Sequence, residues 1–228
     1  MDWSKVSPVE YFLAAMQINF ECAQCMKCCQ KMDGIAYNAI DCHRMAKHLG
    51  IEKNEFISTF TRQSERKPSD RWLNLVGDEK KCPFLGEKGC REYEGRGQVC
   101  RAYPWFSASA IKDVRAGKPF RFYPKCEGMV LSFYKVLRFA EIMDFKEAEN
   151  WVKSPVGRVC WLYMLADEGK EGAAQKGANE LGFATLPPRH TMVEPATAYA
   201  SAYMAIGGKR KLEIVLSEVE GYVANFRH

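Results

Sequence analysis

The chain has 228 residues, 47% of them hydrophobic and 12% aromatic, enough to bury a sizeable core and too apolar for an intrinsically disordered protein. Its formal charge of +5, from 33 basic and 28 acidic residues, includes no run of five or six basic side chains, so nucleic acid is not expected as the main partner. No stretch approaches the roughly 18 apolar residues that span a bilayer, and the opening segment lacks a basic leader followed by an apolar run. A cytoplasmic location without membrane association is therefore expected.

The first expected helix opens at Ser7-Pro8-Val9-Glu10. Ser7 can cap it, Pro8 suits the first turn, and Glu10 stands three residues after the cap to reach back. Tyr11, Phe12 and Ala15 give it an apolar face, and it should end near Ile18-Asn19-Phe20. A second helix is expected from the Asn38 cap to Gly50, with Ile40, Met45 and Leu49 on one side. A third follows in KNEFISTFTR, turning Phe56, Ile57 and Phe60 inward. RWLNLVGDEKKCPFL reads as two short strands around a Gly77-Asp78 turn, a small β-hairpin. From Cys82 to Cys126 the chain is rich in Gly, Pro and aromatics and weakly periodic, as a loop-built shell would be.

After Gly128 the character changes to helices. MVLSFYKVLRFAEIM, with Phe133, Phe139 and Phe145, has a helical core pattern, and SPVGRVCWLYMLADEG repeats the Ser-Pro start. KEGAAQKGANELG is a weaker helix, better read as a surface element than as a nucleotide cradle. EPATAYASAYMAI and KRKLEIVLSEVEGYVANF close the sequence, separated by Gly207-Gly208. The expected fold is mainly α, with an irregular cysteine-rich metal-binding shell carrying the hairpin and packed on a C-terminal helical layer. The expected division is a cysteine-cluster region, residues 1–128, and a helical region, residues 129–228.

Ten cysteines in a reducing compartment point to metal binding or thiol catalysis. Cys22, Cys25, Cys28 and Cys29 fall within eight positions. Cys22-x2-Cys25-x2-Cys28 has the spacing by which ferredoxin-type chains give three thiolates to a cubane cluster, a fourth coming from elsewhere. Two intervening residues let the chain turn so that successive sulfurs face one centre. A single tetrahedral zinc is more crowded by such a triplet than by the usual two-ligand knuckle. Cys29, beside Cys28, suggests a run that serves more than one metal atom. Cys82, Cys90, Cys100 and Cys126 supply four more thiols. The eight together could form two four-thiolate sites, or one site with spare thiols.

Cys42 and Cys160 lie inside helical patterns and read as small buried residues. His43 and His48, five apart, do not face a common metal, and His190 is not taken as a ligand. A dithiol redox role through Cys22 and Cys25 would leave six cysteines unexplained. Arg91, Arg96, Arg101, Tyr93, Tyr103 and Trp105 are interleaved with the later cysteines. They could hydrogen-bond cluster sulfurs and limit water, or be ordinary loop packing.

In FECAQCMKCC, CPFL, CREYEGRGQVCRAYPW and CEG the sequence resembles the CxxCxxCC family of zinc- or iron-chelating proteins, over about residues 19–128. The stretch around Asp41 is similar as well. One departure is Arg96-Gly97 where the family usually has Arg-Pro, which should loosen the turn before Cys100. The resemblance implies that all eight cysteines are metal ligands. A longer relative, flagellin lysine methylase, carries this type of cluster and implies an S-adenosylmethionine-dependent methyltransferase-like alternative.

The leading expectation is a cytosolic protein with one or two 4Fe–4S clusters, the first held by Cys22, Cys25, Cys28 and one later thiol. It would transfer electrons to a redox or protein partner, or use an open iron for chemistry. The alternative is a structural zinc protein whose business is binding a partner.

Overall fold

The computed structural model describes residues 2–30, 34–64, 71–78, 80–103, 116, 126–167, 169–207, 209–224 and 226. The fold is mainly α: 60% helical, with ten α-helices and a small antiparallel sheet among the described residues. It divides into two compact units, one formed by residues 1–23 and 104–228, the other by residues 24–103.

The first unit is a helical assembly. Helix α1, Pro8–Ile18, starts with the capping box expected at Ser7 and Glu10, the Ser7 N–H and hydroxyl each lying 2.8 Å from Glu10 Oε2. It is buried almost all round, from Phe12 to Ile18, as only a helix enclosed by other helices can be. Its neighbours are α7, Val156–Asp167, and α9, Val193–Ile206. The latter also touches α5, Glu127–Ile142, and α6, Phe145–Lys153, and so forms the centre of the unit. Small residues allow this close packing: Ala196, Ala200, Ser201 and Ala202 are buried along α9. Gly157 lies against the Tyr199 ring, where a β-carbon would come within 2.6 Å. Helix α8, Glu171–Glu180, packs on α7, and α10, Lys209–Ala224, packs on α5.

Several buried polar groups in this unit are matched, although Asn19 Nδ2 has no partner among the described residues. Gln17 donates to Asp167 at 2.8 Å, and the same carboxylate pairs with Arg189 at 2.9 Å. Thr197 donates to Asn19 at 2.7 Å, and Ser201 donates to the Val136 carbonyl at 3.0 Å. The long aromatic pattern breaks differently from expectation. Helix α5 stops at Ile142, and Asp144 caps a separate helix by accepting the Glu147 N–H at 2.8 Å. Phe139 and Phe145 are exposed rather than in the core, while Phe133 is buried against Phe12.

The second unit surrounds a smaller core of Ile35, Tyr37, Cys42, Met45, Phe56, Leu73 and Phe84. Helices α2, Ala39–Leu49, and α3, Lys53–Phe60, pack against each other, and Gly50 ends α2 in a left-handed conformation that favours glycine. Phe56 is the hinge of an aromatic group, with ring centroids 6.0 Å from Tyr37, 5.5 Å from Phe60 and 6.4 Å from Phe84.

The strands differ from the hairpin expected around Gly77. Strand β3, Arg71–Leu73, is the middle of a three-stranded antiparallel sheet, between β1, Ala36–Tyr37, and β2, Thr61–Gln63. The Gly77 turn is closed only by the bridge between Val76 and Lys81. The hairpin that forms joins β4, Leu85–Gly86, to β5, Gly89–Cys90. Leu73 faces the core and Leu75 packs against it, and the ladder forms with β1, which carries Tyr37, and with β2, which directly follows Phe60.

The units also cut the chain elsewhere than at residue 128. Helix α1 sits with the C-terminal helices because its apolar circumference needs them. The cysteine-rich unit is thus an insertion between α1 and α5.

Candidate metal centre

Three local structures in the second unit carry cysteines toward one place. The first is the end of the cysteine run. Gln24 and Met26, on either side of Cys25, both adopt left-handed conformations with φ of 53° and 61°, uncommon for residues with a side chain. Cys28 and Cys29 follow with their sulfurs 3.7 Å apart, and the Cys29 N–H donates to the Met26 carbonyl at 2.8 Å. Strained backbone of this sort collects at functional sites.

The second is the Cys82-Pro83-Phe84-Leu85 turn. The Cys82 N–H donates to the Cys29 carbonyl at 3.2 Å, joining the two segments directly. Phe84 anchors the turn in the aromatic group, Leu85 N–H closes it on the Cys82 carbonyl at 3.0 Å, and the β4–β5 hairpin then sets Cys90 opposite Leu85. Arg91 locks the far side by donating to the Pro83 carbonyl at 2.9 Å. The third is α4, Gln98–Ala102, which carries Cys100.

Cys82 belongs to the core cluster, and Cys29, Cys90 and Cys100 are packed against the same cluster. Cys28, Cys82, Cys90 and Cys100 lie close enough to act on one another electrostatically. Burial pushes the Cys100 thiol up to about 12, and the neighbouring sulfurs of Cys82, Cys90 and Cys28 push the same way while Arg96 opposes them. The Cys28 thiol is raised first by its contact with Cys29 and then by burial, again with Arg96 opposing. Burial raises Cys82, whereas the backbone N–H groups of Phe84 and Leu85 favour its thiolate.

These causes share one meaning. Cys28, Cys82 and Cys100 each resist ionising alone, and each ionised sulfur would repel its neighbours. A bound cation removes both penalties, so the donor chemistry fits a thiolate-bound metal. Among the described residues no group of three or more His, Cys, Asp or Glu is already closed to coordinating spacing. The thiols share a neighbourhood without forming a finished polyhedron.

The remaining motif cysteines are placed as follows. Cys25 is half-buried in the second unit. Cys22 and Cys126 belong to the first unit. Cys126 is the residue before α5, and the α5 glycine Gly128 lies against the backbone around Cys22. A β-carbon there would stand 2.4 Å from the Glu21 carbonyl oxygen and 3.0 Å from the Ala23 nitrogen. Ser132 accepts the Glu21 N–H at 3.4 Å on the same helix. Cys42 and Cys160 are fully buried, as expected from their helical settings, and burial pushes the Cys160 thiol up to about 12.

Of the interleaved residues, Arg96 acts on the sulfurs of Cys28 and Cys100 from a fixed position. Its Nε donates to the Tyr93 carbonyl at 2.6 Å, and its guanidinium lies 3.2 Å from the centre of the Tyr93 ring. Trp105 lies outside the described residues. His48 pairs with Glu92 at 3.1 Å, and His190 is exposed. Tyr37 and Asp41, which hold the start of α4, are not marked as site residues by any cysteine spacing. The Asn38-x-x-Asp41 capping pattern was the available signal for Asp41; none existed for Tyr37.

Gly97 takes φ of −64°, which a proline would also adopt, so the departure from Arg-Pro does not open the turn as expected. Its N–H donates to the Tyr37 hydroxyl at 3.1 Å, and a β-carbon would come within 2.7 Å of the Tyr37 ring. Glycine here accompanies the buried tyrosine.

A small apolar core with several thiols converging at its edge defines a metal-chelating cysteine domain. Residues 21–119 match the CxxCxxCC family model, described as a "putative zinc- or iron-chelating domain", which supports a metal-binding role for that stretch. Seven of the eight motif cysteines fall within the match, and Cys126 lies beyond it. No curated protein and no solved structure gave a significant match to the chain. No described helix is long and apolar enough to cross a membrane.

Proposed function

We propose that this protein houses a 4Fe–4S cluster in the unit of residues 24–103, with Cys28, Cys82, Cys90 and Cys100 as its ligands, and serves in electron transfer to a protein partner in the cytoplasm. The observation that carries this reading is that Cys82, Cys90 and Cys100 meet at one core, with Cys28, from a third segment, close to Cys82 and Cys100. Cys25 and Cys29, in the same unit, would supply an exchangeable ligand. Bound there, a cluster would supply a one-electron couple. The chain's own contribution would be the Arg96 charge, the Phe84 and Leu85 N–H groups at Cys82, and an apolar wall of Phe60 and Phe84 that limits water.

The Cys22-x2-Cys25-x2-Cys28 spacing favours iron–sulfur over zinc, because three thiols at successive two-residue gaps crowd a single tetrahedral zinc. One observation supports a structural zinc site instead: four thiols suffice for a closed tetrahedral ion, at the edge of a core too small to be comfortable alone.

Iron, acid-labile sulfide and zinc measured per chain, in protein purified without oxygen, test the choice. About four irons and four sulfides support one cubane, and about eight of each support two. Zinc near one or two per chain without sulfide would overturn the iron–sulfur reading and leave a structural domain that binds a partner. Binding of S-adenosylmethionine by the iron-loaded protein would instead support cluster-assisted chemistry at an open iron.

A further inference from the structure

Helix α4, which carries Cys100, is five residues long, barely more than one turn. An isolated turn has almost no stability of its own, so the orientation of Cys100 must be imposed from outside. Residues 37 to 41 impose it. The Gly97 N–H donates to the Tyr37 hydroxyl at 3.1 Å, the Gln98 N–H donates to Asp41 Oδ1 at 2.8 Å, and Asn38 Nδ2 donates to Gln98 Oε1 at 3.2 Å. The Cys100 N–H then donates to the Gly97 carbonyl at 3.1 Å, which puts the cysteine one turn from the gripped peptides.

Tyr37 is 1% exposed and Asp41 2%. A buried carboxylate needs several partners to be tolerated. Asp41 has them: besides Gln98 it accepts the Asn38 N–H at 3.3 Å and stands 3.6 Å from Arg44. Capping α2 accounts for one oxygen of this group. The other is committed to the helix of Cys100, 57 residues away in sequence.

Tyr37 is equally specific. Accepting from Gly97 uses a lone pair of its oxygen and leaves the hydroxyl proton to be donated elsewhere. Its ring stacks 6.0 Å from Phe56, so the core holds the hydroxyl to which Gly97 is fastened.

We infer that Tyr37 and Asp41 are positioning residues for a metal-bound Cys100: by accepting the Gly97 and Gln98 N–H groups, their hydroxyl and carboxylate oxygens fix the helix start that aims the sulfur. This rests on the reading above that Cys100 is a ligand.

The test is anaerobic titration of the full chain with cobalt(II) alone, following thiolate-to-cobalt charge-transfer absorption, for wild type, Tyr37→Phe, Asp41→Asn and Cys100→Ser. Tyr37→Phe keeps the ring in the core and removes only the hydroxyl. It should weaken binding and lower the charge-transfer absorption per bound cobalt, because Cys100 is no longer held at the metal. Asp41→Asn should weaken binding about 10- to 100-fold. Variants that bind cobalt with wild-type affinity and charge-transfer absorption, while Cys100→Ser is weakened, would overturn the inference and leave the metal reading standing. Cys100→Ser behaving as wild type would also overturn it, because Cys100 would not be a ligand. Wild-type protein without any charge-transfer absorption would overturn the metal reading and the inference together. Should Asp41→Asn not fold, the affinity and charge-transfer absorption of Tyr37→Phe decide alone.

Discussion

In the helical unit, space between elements is filled by side chains: Phe12 stacks on Tyr203 with ring centroids 4.9 Å apart, Tyr199 fills the notch at Gly157, and α1 has no exposed apolar face left over. In residues 24–103 a comparable share of the fixing is done by backbone groups caught at a distance in sequence, such as Gly97 on Tyr37, Gln98 on Asp41 and Cys82 on Cys29. The first arrangement draws its stability from apolar burial, which is non-directional and tolerant of small shifts. The second specifies where particular atoms stand, and leaves sulfurs facing one another that repel once ionised. The difference teaches that one unit is built to be stable and the other to hold geometry, with a metal completing its stability.

The largest expected effect comes from removing that metal. Chelation under reducing conditions should abolish amide-exchange protection around Tyr37, Phe56 and Leu73 while the helices from α5 to α9 keep theirs. Equal protection in both units after complete metal loss would break the comparison.

Core truncations sharpen it next. Leu162→Ala, at a fully buried position of α7, should cost about 2–5 kcal/mol in unfolding free energy without changing metal content per folded chain. Phe56→Ala should cost about 3–5 kcal/mol and also lower the metal content, because Phe84 and Tyr37 lean on the same ring. A metal content unchanged in Phe56→Ala would show that the aromatic group does not support the site.

Gly97→Pro suits the backbone angle yet deletes the N–H held by Tyr37 and places ring atoms against it. About 1–3 kcal/mol of stability should be lost, measured by denaturant unfolding. A neutral or stabilising result would mean that the Tyr37 contact carries little.

The two buried cysteines outside the motif give a finer probe. With metal bound, neither Cys42 nor Cys160 should react with iodoacetamide. After chelation Cys42 should become reactive with its unit, while Cys160 stays protected; mass spectrometry of the labelled peptides reads both. Cys160 also carries a small pH effect. Its thiol ionises near 9.0 when unfolded and near 12 when folded, so this group leaves stability intact below pH 9 and takes it away as pH rises toward 12. Cys160→Ala should lessen that alkaline loss relative to wild type.

Much of this was legible in advance. The Ser7-Glu10 box, the Asn38 cap and the Gly50 stop rely on atoms within a few residues of each other, so their spacing suffices to announce them. The eight motif cysteines stand out for the same reason: a dense thiol pattern has little meaning other than chemistry. What misled was any inference needing a distant partner. Phe139 and Phe145 fit a helical stripe, yet the chain turns at Met143-Asp144 and leaves them exposed. The Gly77 turn looked like a hairpin because its own residues allow one, while β3 found better partners in β1 and β2.

By itself, the sequence determined several helix starts, the mainly helical class and the identity of the candidate ligands, all of which depend on local stereochemistry or residue type. Tertiary structure alone decided that α1 belongs with the C-terminal helices, that Cys82, Cys90 and Cys100 meet at one core with Cys28 close by, and that Tyr37 and Asp41 hold the start of the helix of Cys100. Those outcomes depend on burial and on hydrogen bonds between segments tens of residues apart, and no local pattern encodes which distant group will supply the missing partner.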